Sequence, residues 1–236
     1  MKVFVYCGSY RNDKSVGYNF IREVESKLAD KKITFDIYTP QNCNIEFCRG
    51  CMSCFAGGVC PIHDEFEEIK ESIWSSEFII FVSPVYAHNV SGSIKNMIDR
   101  MSYLTHLMPF AGKKGAIISV SHDNGNSYVN DYLYKIFSYL GIDTIKPISI
   151  QSNIMDCDIK KSYSIFLAEE IERFSRLKNI ESSREHEKLF AEFTKRYKSN
   201  YKDSPDAKRW NKLGYFEAST FGEVIQRRPN NNNLHI

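Results

Sequence analysis

No stretch of this 236-residue chain approaches the roughly 18 consecutive apolar side chains that a membrane-spanning helix needs. An excess of one charge is missing too. Thirty-one Lys and Arg stand against 29 Asp and Glu, a net charge of +2, so nothing drives the whole molecule toward nucleic acid or a lipid surface. Because Met1-Lys2 runs directly into an apolar segment, no cleavable leader is expected, and with it a cytoplasmic location with reduced thiols is expected. Nor does a G-x-G-x-x-G run with a downstream acid follow any strand-like segment, so the dinucleotide fingerprint is missing.

What is present is a core and a cysteine run. Hydrophobic residues make up 42% of the chain, enough to exclude a disordered protein. Four of the seven cysteines, Cys48, Cys51, Cys54 and Cys60, fall within thirteen residues at C-x2-C-x2-C-x5-C spacing, and Pro61 follows. Thiolates three residues apart in a tight loop converge on one centre, and a fourth, more distant cysteine suits a [4Fe–4S] cubane with one sulfur per iron. Two other uses stay open on spacing alone: a zinc site, which prefers two separated pairs, and metal-free thiols, structural or redox-active. Cys7, Cys43 and Cys157 read as bystanders, Cys43 alone lying near enough to substitute as a ligand.

Taken in order, apolar runs alternate with amphipathic segments. Strands are expected at 2–7, 33–38, 78–82, 114–120 and 144–150, the last interrupted by Pro147 and so placed at an edge. Helices are expected at about 15–30, 63–74, 93–107, 128–140 and 159–177, with Ile165, Ala168, Ile171 and Phe174 as the apolar stripe of the last. Five strands alternating with five helices predict a doubly wound parallel α/β sheet of flavodoxin-like order 2-1-3-4-5 over residues 1–178. Residues 179–236 form a C-terminal extension: a helix over 185–201, an aromatic segment over 208–221 that packs on its own domain or crosses to a neighbouring subunit, and a disordered end from Asn230.

Three turns gather at one end of such a sheet. Gly8 to Ser15 links the first strand to a helix N-terminus and makes an anion site, to which Ser9, Arg11, Asn12 and Ser15 add donors. An ordinary turn capped by Asp13 or Ser15 fits the same residues. Pro84 to Asn89 follows the most apolar strand, and Ser121 to Ser127 follows the fourth. His88 and His122 lie on these loops, and Lys95 and Arg100 are expected on a solvated or interface face of their helix, with Asp99 pairing locally.

Gly8-Ser9-x-Arg11, the cysteine run, Asp64, Ser83-Pro84-Val85-Tyr86 and Lys95-x3-Asp99-Arg100, in that order, resemble the iron–sulfur flavoprotein branch of the NADPH-dependent FMN reductase, flavodoxin-like family. The resemblance implies FMN with its phosphate at Ser9, Arg11, Ser15 and Val16, and its ring on Pro84, Val85, Tyr86 and Ala87 with Asn89 nearby. The turn holding Ser121 and Gly125 closes the other side. It also implies a cluster on Cys48, Cys51, Cys54 and Cys60, electron supply from NAD(P)H or a ferredoxin-type donor, and a homo-oligomer, dimer or tetramer. Tyr10, Asp13 and Ser121-His122 depart from the family pattern. The activity this points to is an FMN-dependent oxidoreductase or electron-transfer flavoprotein. The alternatives are a cluster-free NAD(P)H-dependent FMN or quinone reductase, a non-catalytic partner that docks through its tail, and a tailoring enzyme that uses the tail on a specific substrate.

Overall fold

The computed structural model describes residues 1–227; the run from Asn230 lies outside them. The sheet order is β2-β1-β3-β4-β5, all parallel, formed by β1 (Lys2–Cys7), β2 (Thr34–Tyr38), β3 (Phe78–Pro84), β4 (Lys114–Ser121) and the short β5 (Asp143–Thr144). This is the expected flavodoxin-like order. The fifth strand is cut in two: β5 precedes Pro147 and β6 (Ile148–Gln151) follows it, both pairing with β4 at the edge. Proline has no N–H to give to a ladder, so the break falls where the sequence puts the ring.

Helices cover both faces. On one side, α1 (Val16–Lys27) and α6 (Cys157–Ser175) bury Phe20, Ile21, Val24, Leu167 and Ile171 against Val3, Val5, Ile80 and Ile118. On the other, α3 (Phe66–Ser75), α4 (Gly92–Arg100) and α5 (Asn126–Leu140) bury Phe66, Ile94, Met97, Leu133 and Phe137 against Phe4, Phe81 and Ile117. Alternate residues of β1 therefore serve opposite cores, as the two-residue period of a strand requires. Two expected helix details differ. Ile165 is exposed and Leu167 takes its place in the α6 stripe, because position 167 and not 165 lies in line with 171 and 174. The helix expected over 93–107 ends at Arg100 and continues as a tight 3-10 turn, Ser102–His106.

Between β2 and α3 lies the cysteine segment with its single short helix α2 (Ser53–Gly57). After α6 the chain forms α7 (Arg184–Lys198), α8 (Pro205–Lys212) and α9 (Phe221–Arg227). These build a third core in which Trp210, Tyr215 and Phe221 are buried with Phe190 and Phe193 against Met108 and Ala111. The aromatic segment thus packs on its own chain. Among the described residues no helix is long and apolar enough to cross a membrane.

One glycine sets how closely helix and sheet approach. A Cβ at Gly17, in the first turn of α1, would stand 2.6 Å from a Val82 methyl and 3.2 Å from one of Val120. Gly17→Ala is expected to cost roughly 1–3 kcal/mol by overpacking, read as a lower urea midpoint with an unchanged m-value; an unchanged midpoint would mean that α1 does not need this approach.

Candidate functional site

The carboxyl ends of β1, β3 and β4 surround a cavity of about 270 Å³. Its floor is the β1–α1 turn. Ser15 is the N-cap of α1, its hydroxyl accepting from Tyr18 N at 3.3 Å, so the cap is Ser15 and not Asp13. Ser9 is buried and its hydroxyl accepts from Arg11 N at 3.2 Å. Ser9, Arg11, Ser15, Val16 and Gly17 all line the cavity. The N–H groups of Val16 and Gly17 sit in the first helical turn, where no intrahelical acceptor exists, and the positive end of the helix dipole adds to them. Two hydroxyls, a guanidinium and two helix N–H groups suit an anion such as a phosphate. Asn12 takes a left-handed φ of 40° beside this floor, and its Oδ1 is buried without a partner.

One wall is Pro84, Val85 and Tyr86. Val85 N donates to Val120 O at 2.8 Å, which ties this wall to β4. Beyond it Tyr86 and Asn89 exchange backbone hydrogen bonds of 3.0 Å around Ala87 and His88, whose φ values are 49° and 59°. Two successive left-handed residues make a type I′ turn, normally Asn-Gly. Here neither is glycine, so the turn stores backbone strain of the kind that gathers at functional sites. Ala87 and Asn89 belong to this turn and not to the cavity lining, and Tyr86 is solvent-exposed at the rim. Ser83 supports the turn from behind, its hydroxyl accepting from Ser91 N at 3.0 Å.

The opposite wall is Val120, Ser121 and His122, with Ser152 from the turn after β6. Ser121 is buried and donates to Asn126 Oδ1 at 2.7 Å, while Ser152 donates to Ser121 O at 3.0 Å. Gly125 lies behind the wall, at φ 85°, where a Cβ would come within 2.8 Å of Val85 and 3.2 Å of His88. It lets the two loops meet rather than touching a ligand. His122 faces the cavity, but His88 instead stacks edge-on against Tyr128 at 5.4 Å. Ser152 and Gly17 were not legible as lining residues: a serine after an edge strand carries no signal until β6 is placed beside β4.

A second cavity, about 310 Å³, shares Tyr86 with the first and runs along Gly8, Tyr10, Ser93 and Asn96 to Glu46 and Phe47. Phe47 immediately precedes the cysteine loop. Cys48, Cys51, Cys54 and Cys60 all line a third, smaller cavity of about 130 Å³, together with Arg100. Gly50 and Met52 both take φ 63°, bending the chain back between Cys48 and Cys54. A hydrogen bond between Cys51 and Ser53 lowers the Cys51 thiol, while burial, with the neighbouring Cys60 and Cys48, raises that of Cys54. The sulfurs ring a cavity rather than a point: among the described residues no three His, Cys, Asp or Glu converge as ligands of a single ion. Cys43 is not in this ring. It is buried, donates to Thr39 O at 3.0 Å, and burial pushes its thiol up to about 11. Burial does the same to Cys7.

Arg100 corrects the expectation of a solvated helix face. Its side chain is 1% exposed and that of Asp64 is 4%. Nη1 donates to Asp64 Oδ2 at 2.5 Å and to Glu46 O at 2.9 Å, Nη2 to Asp64 Oδ1 at 3.0 Å, and the guanidinium lies 4.6 Å from the Phe66 ring centre. Lys95 does pair locally with Asp99, at 2.5 Å. Asp64 also accepts from Glu46 N at 2.7 Å and Phe66 N at 3.1 Å. The pair therefore joins Glu46, just before the cysteine loop, to Asp64, just after it. At the loop's tip Arg209 of α8 donates to Phe55 O at 2.9 Å and Cys54 O at 3.1 Å. Asp206 steadies Arg209 (3.3 Å) and meets His106 (3.0 Å), whose ring in turn packs edge-on against Phe55.

An open parallel sheet with an anion-binding helix end and facing loops at a strand crevice defines a flavodoxin-like α/β protein. The chain belongs to the NADPH-dependent FMN reductase family, whose defining pattern matches residues 1–154. Within it the chain is similar to relatives named iron–sulfur flavoproteins. One from Archaeoglobus fulgidus is 29% identical over 178 residues, covering 72% of this chain and 80% of the relative. Another from Methanocaldococcus jannaschii is 28% identical, covering 58% and 72%. Among solved structures, the FMN-dependent NADH-azoreductase of Bacillus anthracis in complex with FMN shares the fold at a TM-score of 0.55 and 15% identity, over 76% of this chain and 100% of that one. RosB, at 0.53 and 9%, matches over 93% of this chain and 88% of its own, so its likeness reaches into the C-terminal helices. Family membership makes this chain a flavin-dependent oxidoreductase.

Two outcomes follow from the ties on the cysteine loop. Arg209→Met removes two charge-assisted hydrogen bonds, worth about 1.5–3 kcal/mol each at most, and is expected to speed limited proteolysis within residues 48–60 while the sheet stays intact. An unchanged cleavage rate would show that α8 does not restrain the loop. Burial alone would raise the Asp64 carboxyl, but Arg100 and the two backbone N–H groups outweigh it and hold it below its ordinary value. A depressed folded value means that this stabilisation is full above the unfolded value of about 3.9 and disappears as pH falls through the folded one. Asp64→Asn, which leaves a buried guanidinium uncompensated, is expected to cost about 3–5 kcal/mol at pH 7. In urea unfolding from pH 6 to 2 its deficit against wild type should narrow below about pH 4; a deficit constant with pH would contradict the ionised pair.

Proposed function

We propose that this chain is an FMN-dependent oxidoreductase that moves electrons between a flavin in the 270 Å³ cavity and a [4Fe–4S] cluster held by Cys48, Cys51, Cys54 and Cys60. The observation that carries this reading is the layout of the three cavities. The middle one touches the flavin wall at Tyr86 and ends at Glu46 and Phe47, beside Cys48. When bound, FMN supplies two-electron hydride chemistry and one-electron chemistry together, and a cluster supplies a one-electron store. The chain supplies the rest. Ser9, Arg11, Ser15 and the α1 N–H groups hold the phosphate. Pro84, Val85 and Tyr86, with Ser121 and His122 opposite, hold the ring and keep water from its flanks; Asn12, Ala87, Asn89 and Gly125 shape the loops that do so. No residue has to act as general acid or base, because hydride transfer to a flavin needs none.

The fit of the cysteines rests on their sharing one cavity. A single zinc ion needs four donors about 2.3 Å from one point, whereas a cluster with one iron per thiolate needs four thiolates facing a common space, and all four cysteines line the same cavity. The competing reading is a cluster-free NAD(P)H-dependent FMN or quinone reductase, favoured by the fact that no three ligand side chains already converge among the described residues. NAD(P)H or a ferredoxin-type protein is the proposed donor, in a cytoplasmic homo-oligomer, and the tail is assigned to loop support rather than to docking.

Protein purified anaerobically is expected to hold FMN and four irons per chain, with a broad iron–sulfur shoulder beneath the flavin bands. Cys54→Ser should lose iron and keep FMN. Arg11→Ala should weaken FMN at least about tenfold, roughly 1.4 kcal/mol, and leave iron unchanged. A flavin spectrum without iron would remove the cluster and leave the reductase reading.

A further inference from the structure

We propose that Arg100 sets the redox poise of the cysteine site, donating its Nε–H to sulfur at the Cys60 corner of the cavity. The inference rests on the cluster reading above. It starts from an unspent donor. Both terminal nitrogens of the guanidinium are engaged, Nη1 with Asp64 and Glu46 O and Nη2 with Asp64. Nε is buried and has no hydrogen-bond partner. A buried N–H left without an acceptor is rare in a folded protein, since it forfeits its bonds to water and gains none in exchange.

The acceptor is close at hand. Arg100 and Cys60 line the same cavity. A neutral thiol is a weak acceptor. The same sulfur as a metal-bound thiolate carries negative charge and takes a hydrogen bond readily. The donor therefore gains a strong acceptor once the sulfur is ionised.

Asp64 makes the effect directional. It neutralises Arg100 at 2.5 Å, so the pair brings the cavity little net charge and one N–H without a partner. Hydrogen bonds to cluster sulfurs favour the reduced state, which carries one more negative charge, and so raise the potential. The step affected is addition of one electron to the oxidised cluster, supplied by dithionite in the test or by reduced flavin in turnover; no covalent bond forms or breaks and no proton is taken up. Asp64, which holds the guanidinium through both terminal nitrogens, is the positioning residue.

The test compares wild type, Arg100→Lys and the double variant Arg100→Met/Asp64→Asn, each reconstituted anaerobically with iron and sulfide. Lysine keeps the charge for Asp64 but has no Nε–H. The double variant removes the donor and leaves no buried charge unpaired, so it folds even where the single variant does not. The readout is the midpoint potential of the reduced-cluster electron paramagnetic resonance signal in a dye-mediated titration, with urea stability measured alongside. Both variants are expected to bind four irons and to titrate at a more negative potential than wild type. Potentials equal to wild type, with only stability lowered, would overturn the inference and leave Arg100 a purely structural tie. Loss of iron from both folded variants would also overturn it, making Arg100 a requirement for assembly. A wild-type chain that takes up no cluster removes the cluster reading and this one together, whereas iron uptake with unshifted potentials removes this one alone.

Discussion

The buried pair of Arg100 and Asp64 is the contact on which the cysteine loop depends. Residues 48–60 contain one five-residue helix and bury little apolar surface of their own. Such a segment is ordered only if its ends are held. Arg100 grips Glu46 O on one side and Asp64 on the other, and Asp64 returns a bond to Glu46 N, so both ends meet at one guanidinium. Asn96, one turn earlier on α4, adds a bond to Ile45 O at 2.8 Å. Since α4 is itself anchored in the core by Ile94 and Met97, the loop base inherits the rigidity of the sheet. The tip is fixed from the opposite direction by Arg209, which gives the C-terminal extension a physical reason to be there.

The cavity proposed for the flavin is organised by a different constraint, the close approach of three loops at one sheet end. Gly17 brings the α1 N-terminus down onto β3 and β4, and Gly125 lets the β4 turn meet the strained turn after β3. The ion pair and these glycines are linked through α4. Its N-cap Ser91 accepts from Ile94 N and its backbone leans on Ser83 behind the flavin wall, while its C-terminal Arg100 lines the cysteine cavity. One nine-residue helix thus connects the two sites.

Much of this was legible in the residues. Apolar β-branched runs gave the strands, Pro147 gave the edge break, and the small polar turn after Cys7 gave the helix end with Ser9, Arg11 and Ser15. The aromatic run from Trp210 to Phe221 was too apolar for a free tail, but whether it packed on its own chain or on a neighbour was not legible. What escaped were contacts far apart in sequence. Lys95 and Asp99 are four residues apart, and helical spacing reveals such pairs; Arg100 and Asp64 are 36 apart and Arg209 and Cys54 are 155 apart. A one-dimensional pattern assigns a charged residue beside such a local pair to the same wet face, which is how Arg100 came to be expected there. The exposed Ile165 and the cavity-lining Ser152 escaped for a similar reason, since each depends on which neighbour the fold sets beside it.

The central claim is that the flavin and the cysteine loop form one electron path within this family member. The most direct measurement is rapid-freeze electron paramagnetic resonance after mixing anaerobic, iron-loaded protein with NADPH, run with FMN bound and again with FMN removed. The account predicts that the reduced-cluster signal follows flavin bleaching in the first sample and is absent in the second. A signal that rises equally fast without FMN, or never rises while the flavin bleaches, would contradict it.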